Sequence, residues 1–154
     1  MKKTTLFLFL FAFTTLSYAQ YLSEGFETSI PPTGWTLNST NSGDYTWQLA
    51  TANPHSGTYS AQVQYDPDLS PQNESLVSPI IDLTSATSPQ LTFWFNMSYY
   101  WSVDPNPNYD FIVSITDGTT TTELWDQTDF GVFDNFVWYE VSLDLSAYAG
   151  TNDM

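Results

Sequence analysis

Between Leu91 and Met97 the chain alternates strictly. Leu91, Phe93, Phe95 and Met97 fall on one face of an extended segment, and Thr92, Trp94 and Asn96 on the other. Rings of this size gathered on one face need a second layer to pack against. The segment therefore predicts a central strand of an antiparallel sandwich. Leu76–Leu83 reads as a neighbouring strand. Pro79 and Pro89 mark points where a ladder must open or end, because proline has no N–H to donate.

The two-residue period recurs along the chain. Tyr59, Ala61, Val63 and Tyr65 alternate with Ser60, Gln62 and Gln64. Phe111, Val113 and Ile115 predict a strand that ends at Asp117-Gly118, a hairpin signal, with Thr119–Trp125 as the return strand. Tyr139, Val141, Leu143 and Leu145 form the dry side of a last strand. Asp44–Trp47 reads as the start of a short strand. Ser146–Gly150 reads as one helical turn closed by glycine. Prolines and glycines at 30–35 and 53–57 punctuate the pattern. About seven short strands at this spacing, without an amphipathic helix, predict an all-β antiparallel jelly-roll sandwich.

Composition then bounds the role. Lys2-Lys3, the apolar run Leu6–Phe13 and the small-x-small ending Ser17-Tyr18-Ala19 have the layout of a signal peptide, with cleavage before Gln20. The apolar run is too short to cross a bilayer. Residues 1–19 are thus expected to be removed, leaving 20–154 as one exported domain. Lys2 and Lys3 are the 2 basic residues of the sequence, and all 17 acidic residues lie at or after Glu24. Residues 20–154 therefore carry a formal charge of −17 and no lysine or arginine. Nucleic-acid binding, which needs cations against phosphates, is excluded as a role, and so is attraction to an anionic membrane surface. No carboxylate can be neutralised by a salt bridge with lysine or arginine. A buried one must be hydrogen-bonded, protonated or bound to metal, which makes calcium the expected cofactor. There are no cysteines, so an exported fold here relies on its core rather than on disulfides.

Several phrases occur in a characteristic order: Glu24-Gly25-Phe26-Glu27, Ile30-Pro31-Pro32-Thr33-Gly34-Trp35, Trp47, and His55-Ser56-Gly57. Leu76-Val77-Ser78-Pro79, Ile81-Asp82-Leu83, Leu91-Thr92-Phe93-Trp94, Trp138 and Asp144–Gly150 complete it. This order resembles the cleaved-adhesin, or choice-of-anchor J, domain of secreted bacterial proteins, and more distantly the MAM domain. The resemblance runs from about Tyr21 to Met154. It implies a jelly-roll module found in surface adhesins and beside peptidases, often calcium-bound. It also implies that Glu27 is the metal-binding glutamate of the first strand, approached by the backbone carbonyls of His55 and Ser56. Members of that family continue past Ala149-Gly150 into a further strand and paired aspartates, so the domain is expected to be incomplete at its C-terminus.

The candidate chemistry is concentrated in acids and aromatics. Glu27 and Glu24 are the first candidate calcium ligands, since that hard ion takes six to eight oxygens, carbonyls included. Asp104, Asn106, Asn108 and Asp110 put an oxygen side chain at every second position, a weaker second candidate. An EF-hand would need glycine and glutamate where Tyr109 and Ile115 stand, and a Pro/Asn turn accounts for the same pattern. Tyr99, Tyr100, Trp101 and Tyr109 flank this proline-rich loop, either as a ligand-binding platform or as rings packed over one end of the sandwich. The catalytic inventory is small: one histidine, His55, no cysteine nucleophile and no Gly-x-Ser-x-Gly. The expected function is a non-enzymatic, calcium-stabilised module, secreted or on the cell surface. It would mediate adhesion or recognition of an extracellular protein or glycan. A carbohydrate-binding module and an accessory domain of a secreted peptidase are the alternatives.

Overall fold

A computed structural model describes residues 20–154. The signal-peptide reading of residues 1–19 lies outside the described residues. The described chain is mostly strand with little helix, as the two-residue periodicity predicts. It forms small antiparallel ladders. Strand β1 (Thr36–Asn38) pairs with β4 (Ser75–Val77), and β2 (Gln48–Ala50) with β3 (Ser60–Gln62). The longer ladders join β5 (Gln90–Phe95) to β8 (Tyr139–Asp144), and β6 (Ile112–Thr116) to β7 (Thr121–Asp126). No described helix is long and apolar enough to cross a membrane.

The β5–β8 ladder is the frame. Its register sets Phe93 opposite Val141 and Phe95 opposite Tyr139, so the alternating apolar positions of both strands share one face. That face meets the β6–β7 hairpin and the loop that follows it. Phe95, Trp125, Phe133 and Val141 are buried there, and Phe93, Phe111, Phe130 and Tyr139 pack around them. Most of the ring contacts in this cluster are edge-to-face or tilted. Phe95 lies 5.3 Å from Trp125, 5.3 Å from Phe133 and 5.1 Å from Phe130, centroid to centroid. Such arrangements set the positive edge of one ring against the negative face of another, adding about 0.5–1.5 kcal/mol per pair beyond area burial. The aromatic segment 130–136 is thus divided. Phe133 completes the core, while Phe136 remains exposed.

Two expectations shift, and one element is added. Leu76–Leu83 is not one strand: pairing stops at Val77, two residues before Pro79, whose missing N–H and fixed φ end the ladder. Ile81 and Leu83 instead bond to the last residues. Ile81 exchanges bonds with Met154 (2.6 and 3.2 Å), and the Leu83 N–H donates to Thr151 (2.8 Å). Asp44–Trp47 opens as a 3-10 turn, Gly43–Tyr45, ahead of β2. Tyr99–Ser102, which flanks the proline-rich loop, forms one α-helical turn, α1, an element that the two-residue pattern does not predict. The hairpin at Asp117-Gly118 is present, with Asp117 N–H bonded to the Thr120 carbonyl and Gly118 at φ +79°. The turn at Ser146–Tyr148 is a 3-10 turn, followed by Gly150 at φ +82°.

Candidate functional site

The predicted platform residues begin at the end of β5. Ser98 caps α1: it is buried, and its Oγ accepts from the Trp101 N–H at 3.4 Å. The same hydroxyl pairs with Asn135 Oδ1 at 2.9 Å, an oxygen that also accepts from the Tyr100 N–H at 3.0 Å. Ser102, also buried, donates from Oγ to the Ser98 carbonyl. These bonds fix the direction of the four residues between them. Tyr99 turns inward against Phe133, at 5.1 Å. Tyr100 and Trp101 point outward, 44 % and 48 % exposed, and meet edge to face at 4.6 Å. The stretch Tyr99-Tyr100-Trp101 therefore splits one ring to the core and two to solvent, a consequence of the helical turn that a two-residue period could not anticipate.

The loop after α1 is held by the helix itself. Asp104, Asn106 and Asn108 donate their N–H groups to the carbonyls of Tyr99, Tyr100 and Trp101 respectively, at 3.0–3.2 Å. Asp110 Oδ1 accepts from Gln127 Nε2 at 2.9 Å. The structure thus places Asp104, Asn106, Asn108 and Asp110 in a backbone-stapled turn, the arrangement that the proline- and asparagine-rich pattern also allows. Among the described residues, no three His, Asp or Glu side chains converge as a metal ligand set.

Gln127 is the residue sequence reasoning missed. It is 1 % exposed, on the 3-10 turn Gln127–Phe130. Its Oε1 accepts from the Phe111 N–H at 2.6 Å, and its Nε2 donates to Asp110 and to the Ser102 carbonyl at 3.3 Å. One amide thus ties α1, the 104–110 loop and the start of β6 together. Nothing local distinguishes Gln127 from the other glutamines, because its partners lie 16 to 25 residues away.

Tyr109 lies 5.2 Å from Tyr65. Burial pushes its phenol pKa up, with a Ser98 backbone hydrogen bond acting in the opposite direction. The two tyrosines flank a cleft of about 430 Å³ that also involves Pro67, Gln72, Asn108 and Asp110.

Glu27 and Glu24 lie elsewhere. The exposed Glu27 carboxylate accepts from the N–H groups of Thr58 (3.0 Å) and Tyr59 (3.4 Å), which brings it onto the turn containing His55 and Ser56. It lies so close to Gly57 that a methyl group there would stand 2.6 Å from its Cδ. Gly57 also sits at φ +66°, where a Cβ is strained. Glu24 accepts from the Phe26 N–H at 2.6 Å. Phe26 sits at φ +57° and packs edge-on against Trp35 at 5.6 Å. The structure therefore brings Glu27 to the 55–58 turn and uses Glu24 in a local turn.

His55 is set against the outward face of β5. Its ring stacks on Trp94 at 3.9 Å and meets Trp138 edge-on at 5.6 Å. Trp138 Nε1–H donates to the Asn53 carbonyl at 2.9 Å, fastening the same turn. The 53–58 turn is thus bound on one side by Glu27 and on the other by two tryptophans.

Glu74 illustrates how an acid survives partial burial without a cation. Oε1 accepts from the N–H groups of Thr40 and Asn41 and from both of their side chains, at 2.9–3.1 Å. Burial pushes its pKa up, but the hydrogen bonds from Thr46, Asn41 and Thr40 together outweigh it and hold the carboxyl below its ordinary value. Glu74 Oε2 and Thr46 Oγ1 are both buried and lack a bond of ordinary geometry. No family model, curated protein or solved structure matches this chain.

Proposed function

We propose that this chain is an exported, non-catalytic recognition module of jelly-roll type, which holds loop-borne aromatic side chains on a β frame for contact with an extracellular ligand. The observation that carries this reading is the Tyr100–Trp101 pair. Two large rings stand about half exposed on a one-turn helix whose backbone is fastened by buried Ser98 and Ser102 and by Asn135. Leaving such rings half in water forgoes roughly 1 kcal/mol of burial each. Fixing them in one orientation lowers the ordering cost of binding, which is how aromatic anchors work at recognition surfaces.

The chemistry of the remaining residues supports a binding role over a catalytic one. The lone histidine is stacked on a tryptophan. Glu74, Asp82, Asp117, Asp126 and Asp144 are all held below their ordinary pKa values by hydrogen bonds, the reverse of what a general acid needs. Export rests on the leader-like pattern of residues 1–19, and the adhesin reading rests on the resemblance described above. Calcium is proposed as a stabilising ion at Glu27, whose carboxylate is drawn to the turn carrying the carbonyls of His55 and Ser56.

Adhesion of the purified chain to immobilised mucin, compared with the Tyr100→Ser/Trp101→Ser double variant, tests the proposal. Binding that falls at least tenfold in a variant with unchanged circular dichroism supports it. Equal binding by both proteins, or none by either, overturns it.

A further inference from the structure

The cleft between the 65–72 loop and the 108–110 segment is a different site from the Tyr100–Trp101 pair, and its lining has a distinct chemistry. Tyr65 and Tyr109 are 5.2 Å apart with their rings tilted by 38°. Around them lie planar polar side chains, Asn108, Asp110 and Gln72, and the ring of Pro67. The volume, about 430 Å³, lies within the roughly 300–1,000 Å³ range of small-molecule clefts.

The lining is also held in place. Gln72 donates to the carbonyls of Tyr45 (3.1 Å) and Gln64 (2.6 Å) and accepts from the Asp66 N–H, so the 65–72 loop is closed on itself. Asp110 is oriented from behind by buried Gln127. Asn108 is anchored by its N–H to the Trp101 carbonyl. Among the described residues, Asp110 accepts through one carboxylate oxygen and Asn108 donates through its amide nitrogen to the Asn106 carbonyl. Acceptor oxygens of both side chains are therefore free to receive hydroxyl groups.

We propose that this cleft binds an uncharged saccharide, with one C–H face of a pyranose resting against the side of the Tyr65–Tyr109 pair and its hydroxyls bonded to Asp110 and Asn108. The C–H face of a sugar ring is apolar and weakly positive, and it suits the negative face of an aromatic ring. Its equatorial hydroxyls suit planar carboxylate and amide groups, which can receive and give bonds in fixed directions. Charge sets the class. Residues 20–154 hold no lysine or arginine, and Asp110 is in the lining, so a uronic or sialic acid would meet an unpaired carboxylate.

This inference deepens the recognition reading and rests on it, but the two can fail separately. The full chain is titrated calorimetrically with glucose, galactose, mannose, N-acetylglucosamine and their β-linked disaccharides, with glucuronate as the charged control. Tyr65→Ala, Tyr109→Ala and Asn108→Ala are run alongside, each checked for folding by circular dichroism. Asn108 is exposed, so that variant keeps the test open if a tyrosine variant does not fold. The expected result is binding of at least one neutral sugar, weakened about tenfold or more by each tyrosine variant and several-fold by Asn108→Ala, with glucuronate silent. Absence of binding to every neutral sugar, or binding untouched by the folded variants, overturns the site. Equal binding of glucuronate overturns the charge argument. Mucin adhesion that depends on Trp101 but is neither competed by the sugars nor changed by Tyr109→Ala leaves the recognition reading standing and removes this one.

Discussion

Replacing Gln127 with leucine tests the anchor beneath the proposed sites. The two side chains are close in volume, so the change removes three hydrogen bonds without opening a large cavity. The consequence falls on the partners. The Phe111 N–H loses a 2.6 Å bond in a part-buried position, at about 1–2 kcal/mol. The buried Ser102 carbonyl loses a longer bond of 3.3 Å, at about 0.5–1 kcal/mol. Asp110 is exposed and regains water, so its loss adds little. The leucine no longer desolvates an amide, which returns part of the sum. The net loss is about 2 kcal/mol, or a fall in Tm of roughly 6–10 °C for a domain of this size. Differential scanning calorimetry at neutral pH reads it directly. A Gln127→Glu chain sharpens the test, because a second carboxylate would then face Asp110. Its deficit relative to wild type should be larger at neutral pH and shrink as one of the pair takes up a proton. A Gln127→Leu Tm within about 2 °C of wild type would refute the claim that this amide holds α1, the 104–110 loop and β6 together.

Gly57→Ala should lower stability by about 1–2 kcal/mol, from the positive φ and from displacement of the Glu27 carboxylate, and urea unfolding measures it. If calcium binds at Glu27, ion at about a hundred times its Kd should add about 2.7 kcal/mol to wild type and far less to Glu27→Gln; superimposed melts with calcium and with chelator would contradict the metal reading. Asp117 is held below the ordinary value of 3.8 chiefly by the N–H groups of Thr120 and Thr119. The folded chain therefore binds this proton less readily than the unfolded chain, so the contribution is present above about pH 4 and lost as pH falls through the depressed folded value. Asp117→Asn, which keeps the acceptor oxygen, should show a shallower acid limb than wild type in urea unfolding between pH 5 and 2. An unchanged limb would exclude that linkage.

The strand pattern was legible where burial on one face repeats at every second residue. Phe93, Phe95 and Met97, with Tyr139, Val141 and Leu143, face inward as their alternation requires, because pairing β5 with β8 in register puts both apolar sets on one side. The Asp117-Gly118 turn was legible because its signal is local. Leu76–Leu83 was overread, since its apolar content outlasts its hydrogen bonding: Ile81 and Leu83 satisfy their backbone through residues 151–154. The turn at Tyr99–Ser102 was missed although its cap, Ser98, is local, because four residues are too few to show a helical period, and the Asn135 oxygen that braces the cap lies outside any window around Ser98. The ring platform was half legible for the same reason. Composition marked Tyr99, Tyr100, Trp101 and Tyr109 as a group, but only the helical turn sends Tyr99 inward and its neighbours out. Tyr65 joins Tyr109 across 44 positions of sequence, a contact that local periodicity does not encode.

The central claim is that fixed, outward-facing rings on this cation-free β frame bind an extracellular ligand. Surface plasmon resonance of the purified chain over immobilised mucin tests it most directly. Saturable binding that falls at least tenfold with Trp101→Ser, at unchanged Tm, is the predicted result. A folded chain that gives no saturable response, or one that Trp101→Ser leaves intact, would contradict it.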